Sequence, residues 1–140
     1  RQSFSRLLTE MGFVAGSRFA ATCVADAGNP AYVYKFTKTQ DIPMLAELGA
    51  FHGIEIAYVF GNADKIRFVT PSEADLALSE AIMTYWTDFA TTGDPNGEGV
   101  PQWPAFTSET DQYLELGETI ETRSGYYPEA YELVKKVKGI

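Results

Sequence analysis

Residues 49–61 have the sequence GAFHGIEIAYVFG, which is rich in glycine and contains one histidine. Gly49, Gly53 and Gly61 punctuate it, and glycine lets the backbone adopt tight turns that other residues resist. His52, the only histidine in the chain, lies between two of these glycines. The pattern predicts a loop that carries His52, followed by a short helical turn.

The region before this segment predicts a helix followed by a strand. Apolar residues recur at helical spacing across residues 4–25, interrupted at Gly12 and Gly16, which favours two short helices or one broken helix. Residues 26–30 (DAGNP) end it, and residues 31–37 (AYVYKFT) are typical of a strand. A helix, a turn and a strand in this order indicate an α/β architecture.

The strongest helix signal follows the histidine segment. Thr70 can cap the helix, Pro71 suits its first turn and Glu73 completes a capping box, and the helix should end before Gly93. We expect its apolar stripe to face a core and its aromatic residues to pack rather than to bind a ligand. The stripe consists of Leu78, Ile82, Tyr85, Trp86 and Phe89.

The last third of the chain predicts a short strand and a final helix. Residues 113–116 have strand character, and a helix is expected from about Pro128 to Lys138. Its apolar face would comprise Tyr131, Val134 and Val137. Its lysines suit the negative end of the helix dipole, and we assign them no binding role. They are Lys135, Lys136 and Lys138.

Composition restricts the class of protein. The 140 residues are 45% hydrophobic, enough to bury a core, and without an internal repeat or long linker they predict one domain over residues 1–140. The 11 basic and 19 acidic residues give a net charge of -8, which repels phosphate backbones and anionic membrane surfaces. Nucleic acid and membrane are therefore not expected as partners.

Cys23 is the only cysteine, so the chain cannot form an internal disulfide. Its alanine-rich neighbourhood predicts a small buried side chain rather than a reactive thiol. The chain begins with Arg1 instead of methionine and its first residues do not resemble a signal peptide. We therefore expect a truncated or processed chain whose targeting signal, if it has one, lies outside these residues.

Few residues remain that could perform chemistry. The sequence contains no Gly-x-Ser-x-Gly elbow, no phosphate-binding loop and no Cys or His pair spaced for a metal, so neither a metal nor an organic cofactor is implied. His52 is the remaining candidate, with Glu55 three residues beyond it, although an isolated histidine is more often structural. Asp64, Glu73 and Asp75 are expected to be surface or capping groups.

The histidine segment, residues 49–61, resembles the histidine motif of the type-B carboxylesterase/cholinesterase family. Residues 8–36 are similar to a helix and a late central-sheet strand of that family. Residues 86–96 (WTDFATTGDPN) and 100–106 (VPQWPAF) resemble its C-terminal signature in the same order. The resemblance covers essentially the whole chain. It implies the C-terminal part of an α/β-hydrolase, with late central-sheet strands packed by helices.

The family's catalytic residues occur in the order serine, acid, histidine, so the resemblance makes His52 the general base of a serine ester hydrolase. The serine, the acid and the oxyanion donors would lie upstream of this chain, and the substrate would be a small ester. Glu55 matches a glutamate in the hydrogen-bond network around the family's site. A carboxylate stabilised by the start of a helix is the alternative interpretation.

Two alternatives to the esterase interpretation remain open. Some cholinesterase-like adhesion proteins have lost the serine and keep the histidine, so this chain could belong to a binding protein. A standalone fold is also conceivable, but a sheet cut to its last strands would expose an apolar edge, and we expect the isolated chain to self-associate. Cys23 does not align with the family's usual disulfide position, which favours a cytoplasmic, bacterial-type esterase and leaves secretion open.

Overall fold

The computed structural model describes residues 10–40, 49–66, 69–125 and 128–138. They form a π-helical turn (Glu10–Val14), α1 (Ala15–Asp26), β1 (Tyr34–Phe36), α2 (Glu55–Val59), a 3-10 turn (Ala63–Lys65), α3 (Glu73–Thr92), β2 (Gln112–Leu116), β3 (Ile120–Ser124) and α4 (Pro128–Lys138). The strands form one sheet in the order β1-β2-β3, and β1 runs parallel to β2 with Tyr34 opposite Leu114. The connection between β2 and β3 is so short that these two strands must be antiparallel. The presence of helices together with a sheet that contains a parallel pair of strands is consistent with the predicted α/β class.

The chain divides into two compact units. The first comprises Arg1–Val33, Pro104–Tyr113 and Thr122–Ile140. In it, Ala15 forms a buried cluster with Tyr131 and Val134 of α4, so two of the three predicted apolar positions of α4 are buried. The guanidinium of Arg18 lies 4.6 Å from the Tyr131 ring centroid and contacts the Asp111 carboxylate at 2.9 Å. The side chain of Val137 lies outside the described part.

The helix α1 differs from the prediction in two ways. The π-helical turn leads directly into α1, so residues 10–26 form one uninterrupted helical stretch across Gly12 and Gly16, whereas the predicted helix over residues 4–9 lies outside the described residues. The expected burial of Cys23 is wrong, because its side chain is exposed. Ala15 and Ala21 are buried. Cys23 follows Ala21 by two residues, so its side chain points to the opposite face of the helix.

The predicted strand over residues 31–37 is shorter than expected, because only Tyr34–Phe36 pairs with β2. The carbonyl oxygen of Ala31 instead accepts a 2.7 Å hydrogen bond from the Phe106 amide, and both residues pack in a second buried cluster of the first unit. The predicted strand at residues 113–116 is confirmed as β2. The neighbouring β3 was not predicted, because it is largely polar and exposed.

The second unit comprises Tyr34–Trp103 and Leu114–Glu121, and α3 supplies much of its core. Leu78, Ile82 and Tyr85 are buried as predicted, and Trp86 packs 5.8 Å from Trp103, measured between ring centroids. Phe89 is 49% exposed, so the expected burial of this last member of the stripe is wrong. The helix ends as predicted, with Gly93 in the left-handed conformation at φ +80°.

The start of α3 corrects the predicted capping box. Ser72, not Thr70, is the N-cap, and Asp75 is its partner instead of Glu73. Glu73 directly follows the cap, whereas the reciprocal bonds of a capping box require the third helical residue. Asp75 is therefore a capping group as expected, but it is only 6% exposed and not a surface group. No helix among the described residues is long and apolar enough to span a membrane.

Candidate active site

His52 lies in a compact turn that leads directly into α2. The amide of Phe51 donates to the carbonyl oxygen of Gly49 at 3.0 Å, and the amide of Ile54 donates to that of Phe51 at 3.2 Å. Gly49 and Gly53 have φ values of +65° and +90°, a region that L-residues with a side chain rarely adopt. The side chain of His52 is exposed. The predicted loop with a short helix after it is confirmed.

Tyr58 attaches this turn and α2 to the rest of the second unit. Its side chain is completely buried, and its hydroxyl donates a 2.8 Å hydrogen bond to Oδ1 of Asp75. The same hydroxyl accepts a 3.2 Å hydrogen bond from Nε2 of Gln40. The hydroxyl of Ser79 in α3 donates to the backbone carbonyl of Tyr58 at 2.8 Å. Side chain and backbone of one residue therefore fix α2 in two directions.

Asp75 is the centre of a buried polar network. Its Oδ2 accepts hydrogen bonds from the backbone amide and the hydroxyl of Ser72 at 2.8 and 2.6 Å. Nζ of Lys38 lies 3.4 Å from Oδ1 and 2.7 Å from a carboxylate oxygen of Glu118. A buried carboxylate is costly unless such partners surround it. The network joins the start of α3 to the segment after β1.

The pKa values of these groups follow from their surroundings. Burial alone would raise the pKa of Asp75, but the hydrogen bonds from Ser72 and Tyr58 and the charge of Lys38 lower it overall. Burial would lower the pKa of Lys38, and its contacts with Glu118 and Asp75 raise it overall. Burial is the main reason why the pKa of Tyr58 is raised to about 12. The phenol therefore remains protonated and keeps donating its hydrogen bond at neutral pH.

Glu55 is the first residue of α2 and is half-buried. Burial first, and then the charge of Glu55, raises the pKa of Tyr34. Tyr34 packs edge-on against Trp86 and Trp103, with ring centroids 5.2 and 6.1 Å away. The position of Glu55 fits the interpretation of a helix-start carboxylate, and its part in a hydrogen-bond network around the histidine stays a prediction.

Sequence reasoning found the histidine turn but missed the residues that anchor it. Tyr58 was visible only as one apolar residue of the histidine segment, and Asp75 only as a possible capping group. Lys38 and Gln40 lie in a stretch without clean periodicity. The available sequence signal was weak, because it consists only of two polar residues soon after a strand. In the structure they are 4% and 3% exposed, but no sequence pattern distinguishes them from surface residues.

This arrangement presents an exposed imidazole on a firmly attached turn, a geometry suited to accepting and returning a proton. In the described ranges, no group of three or more His, Cys, Asp or Glu residues could hold a metal ion. Any acyl-transfer chemistry at His52 would require a nucleophile, and the sequence carries no serine elbow.

Comparison with known proteins identifies the family. The model of the carboxylesterase family matches residues 1–134. The chain belongs to the carboxylesterase family. A solved carboxylesterase from Geobacillus stearothermophilus superposes with a TM-score of 0.79 at 27% sequence identity, covering 94% of this chain and 27% of that one. The described elements are therefore part of an α/β-hydrolase fold, as the resemblance predicted.

Curated relatives include a carboxylesterase and a neuroligin. Carboxylesterase 5A of Felis catus is 43% identical over 83% of this chain and 22% of its own length. Neuroligin-2 of Homo sapiens is 34% identical over 90% of this chain and 18% of its own length. The chain thus spans about a fifth of the length of these carboxylesterase-family relatives.

Proposed function

We propose that this chain is the C-terminal segment of a serine carboxylic-ester hydrolase and that His52 is its general base. The observation that carries the proposal is the exposed His52 side chain on a glycine-flanked turn within a matched carboxylesterase family segment. The serine and the acid would be supplied by the upstream portion of the same protein. That portion is the main partner of this chain, and the substrate is a small ester.

The proton transfers follow from the chemistry of an imidazole beside a serine. His52 takes the proton of the serine hydroxyl as the serine oxygen attacks the ester carbonyl carbon. The imidazolium then returns the proton to the leaving alkoxide, which gives an acyl-enzyme and an alcohol. Water attacks the acyl-enzyme by the same route, and His52 passes the second proton to the serine oxygen.

A binding protein is the alternative function. The match to neuroligin-2 over 90% of this chain favours it as the second candidate. The carboxylesterase 5A match has the higher identity, 43% against 34%. The two candidates differ in whether the upstream portion contains a Gly-x-Ser-x-Gly elbow, so hydrolysis of an ester by the complete protein separates them.

The test compares wild-type complete protein with His52→Ala, using 4-nitrophenyl acetate. We expect kcat/KM to fall by about 10⁴-fold or more, because a serine without its base is a weak nucleophile. The His52→Ala protein should still unfold cooperatively, because the substitution removes no side chain from the buried core of the described residues. Asp64→Asn, an exposed position of the 3-10 turn, is the matched control and should retain wild-type turnover. Wild-type activity in His52→Ala would exclude the proposed role.

A further inference from the structure

The helix that follows His52, α2, is too short to be stable without contacts to neighbouring elements. It has five residues, Glu55–Val59, and isolated helices shorter than about 12 residues are marginal in water. Gly49 and Gly53, one on each side of His52, both have backbone φ values in the left-handed region. The placement of His52 therefore depends on how α2 is attached to the rest of the second unit.

Tyr58 provides that attachment through a polar bond to a fixed acceptor. Asp75 is held at its Oδ2 by two donors of Ser72, and the hydroxyl of Tyr58 bonds its Oδ1. Lys38 holds the same carboxylate from another side at 3.4 Å. An acceptor held by several charge-assisted contacts has little freedom, so it defines where the Tyr58 hydroxyl can lie.

We propose that the Tyr58 hydroxyl, acting through Asp75, is a positioning group that sets the orientation of His52. This inference rests on the proposed function of His52 and names the group outside the reacting atoms that maintains its geometry. Tyr58 touches neither substrate nor reacting atoms in this role. Its contribution is to keep the histidine turn within the narrow range in which proton transfer is efficient, since a misplacement of 1 Å can cost about 100-fold in rate.

A displaced histidine should impair some substrates more than others. A 4-nitrophenoxide leaving group is stable without a proton, whereas an ethoxide must receive one as it departs. Loss of the Tyr58 hydroxyl should therefore slow an ethyl ester more than a 4-nitrophenyl ester of the same acid. General destabilisation of the fold would lower the amount of active enzyme and would leave the ratio of the two rates unchanged.

The chain offers a matched control for deleting this hydroxyl. Tyr85 is also completely buried in the second unit, its pKa is also raised by burial to about 12, and its hydroxyl donates to the carbonyl oxygen of Pro101 at 2.6 Å. Tyr85→Phe removes the same atom from a buried tyrosine that has no bond to the histidine segment's anchor, Asp75. It reports the effect of losing one buried hydrogen bond.

The experiment measures kcat and KM of the complete protein for the ethyl and 4-nitrophenyl esters of one acid, in Tyr58→Phe, Tyr85→Phe and His52→Ala. We expect Tyr58→Phe to lower kcat about 100-fold for the ethyl ester and about 10-fold for the 4-nitrophenyl ester, with KM changed less than about threefold. Tyr85→Phe should keep the wild-type ratio of the two kcat values.

Equal ratios of the two kcat values in Tyr58→Phe, Tyr85→Phe and wild type would overturn the positioning role of Tyr58. An inactive His52→Ala would in that case still support His52 as the general base. An active His52→Ala would overturn the proposed function itself. If Tyr58→Phe does not fold, Asp75→Ala is measured in its place, because it deletes the carboxylate that accepts the hydrogen bond from the Tyr58 hydroxyl. A shifted ratio in Asp75→Ala supports the proposal, and an unchanged ratio overturns it.

Discussion

The hydroxyl of Tyr58 donates a 2.8 Å hydrogen bond to Oδ1 of Asp75, seventeen residues further along the chain. The same carboxylate forms the capping box of α3 with Ser72. One buried carboxylate therefore stabilises the start of the longest described helix and anchors the short helix that follows His52. Changes at Asp75 should consequently affect both stability and the histidine turn.

Replacement of Asp75 by asparagine should make the free energy of unfolding depend less on pH in the acid range. The pKa of Asp75 is lowered in the folded state, so its contribution is present above the unfolded value of 3.8 and is lost as the pH falls through the folded value. We expect Asp75→Asn to cost about 3 kcal/mol at pH 7, because it leaves part of a buried charge network uncompensated. Urea unfolding of the complete protein between pH 3 and 7 measures this.

The difference between wild type and Asp75→Asn should shrink below about pH 4, where the wild-type carboxyl begins to lose its charge in the unfolded state. Asp64→Asn, at an exposed position, should differ from wild type by less than about 0.5 kcal/mol throughout. A constant difference for Asp75→Asn across this pH range would contradict the assigned linkage.

Replacement of Gly53 by alanine should strain the histidine turn. Gly53 has φ +90°, and a Cβ there would meet only the end of Ile56 at 4.0 Å, so the cost arises from the backbone and not from a clash. We expect a loss of about 1–2 kcal/mol of unfolding free energy and a fall in kcat. Chemical denaturation and ester turnover of the same preparation measure the two effects.

Gly16→Ala provides the comparison for Gly53→Ala. Gly16 lies in α1, where an added Cβ meets nothing within 4 Å. Alanine is the better helix former, so this variant should be more stable by about 0.5–1 kcal/mol and should retain turnover. Equal stability changes of the same sign in both glycine variants would argue against strain at Gly53.

The isolated 140-residue chain should associate and should lack esterase activity. Its exposed apolar side chains include Phe60 at 72%, Ile56 at 55% and Phe13 at 54%, and β1 pairs on only one side in the described sheet. Exposed apolar groups and an open strand edge promote association. Sedimentation at rising concentration measures it, and a strictly monomeric species with a cooperative melt would contradict the expectation. Serine-inhibitor-sensitive hydrolysis by the isolated chain would contradict the expected inactivity.

Local signals in the sequence predicted several elements well. The end of α3 at Gly93, the whole of α4 and the turn around His52 depend on neighbouring residues and on the conformational freedom of glycine. Ordered resemblance over most of the chain predicted the carboxylesterase family, which the family match over residues 1–134 confirms. The catalytic role of His52 stays a prediction.

Tertiary structure alone decided which polar residues support the histidine turn. Lys38, Gln40 and Asp75 are brought to Tyr58 by the packing of segments that are distant in sequence, and no local pattern encodes such meetings. The exposure of Cys23 was likewise decided by which face of α1 its neighbours cover. Periodicity and turn residues determine where helices and loops begin and end, whereas burial and hydrogen-bond partners depend on long-range packing. The sequence by itself therefore determined that His52 lies on a loop, and only the folded chain showed what holds that loop in place.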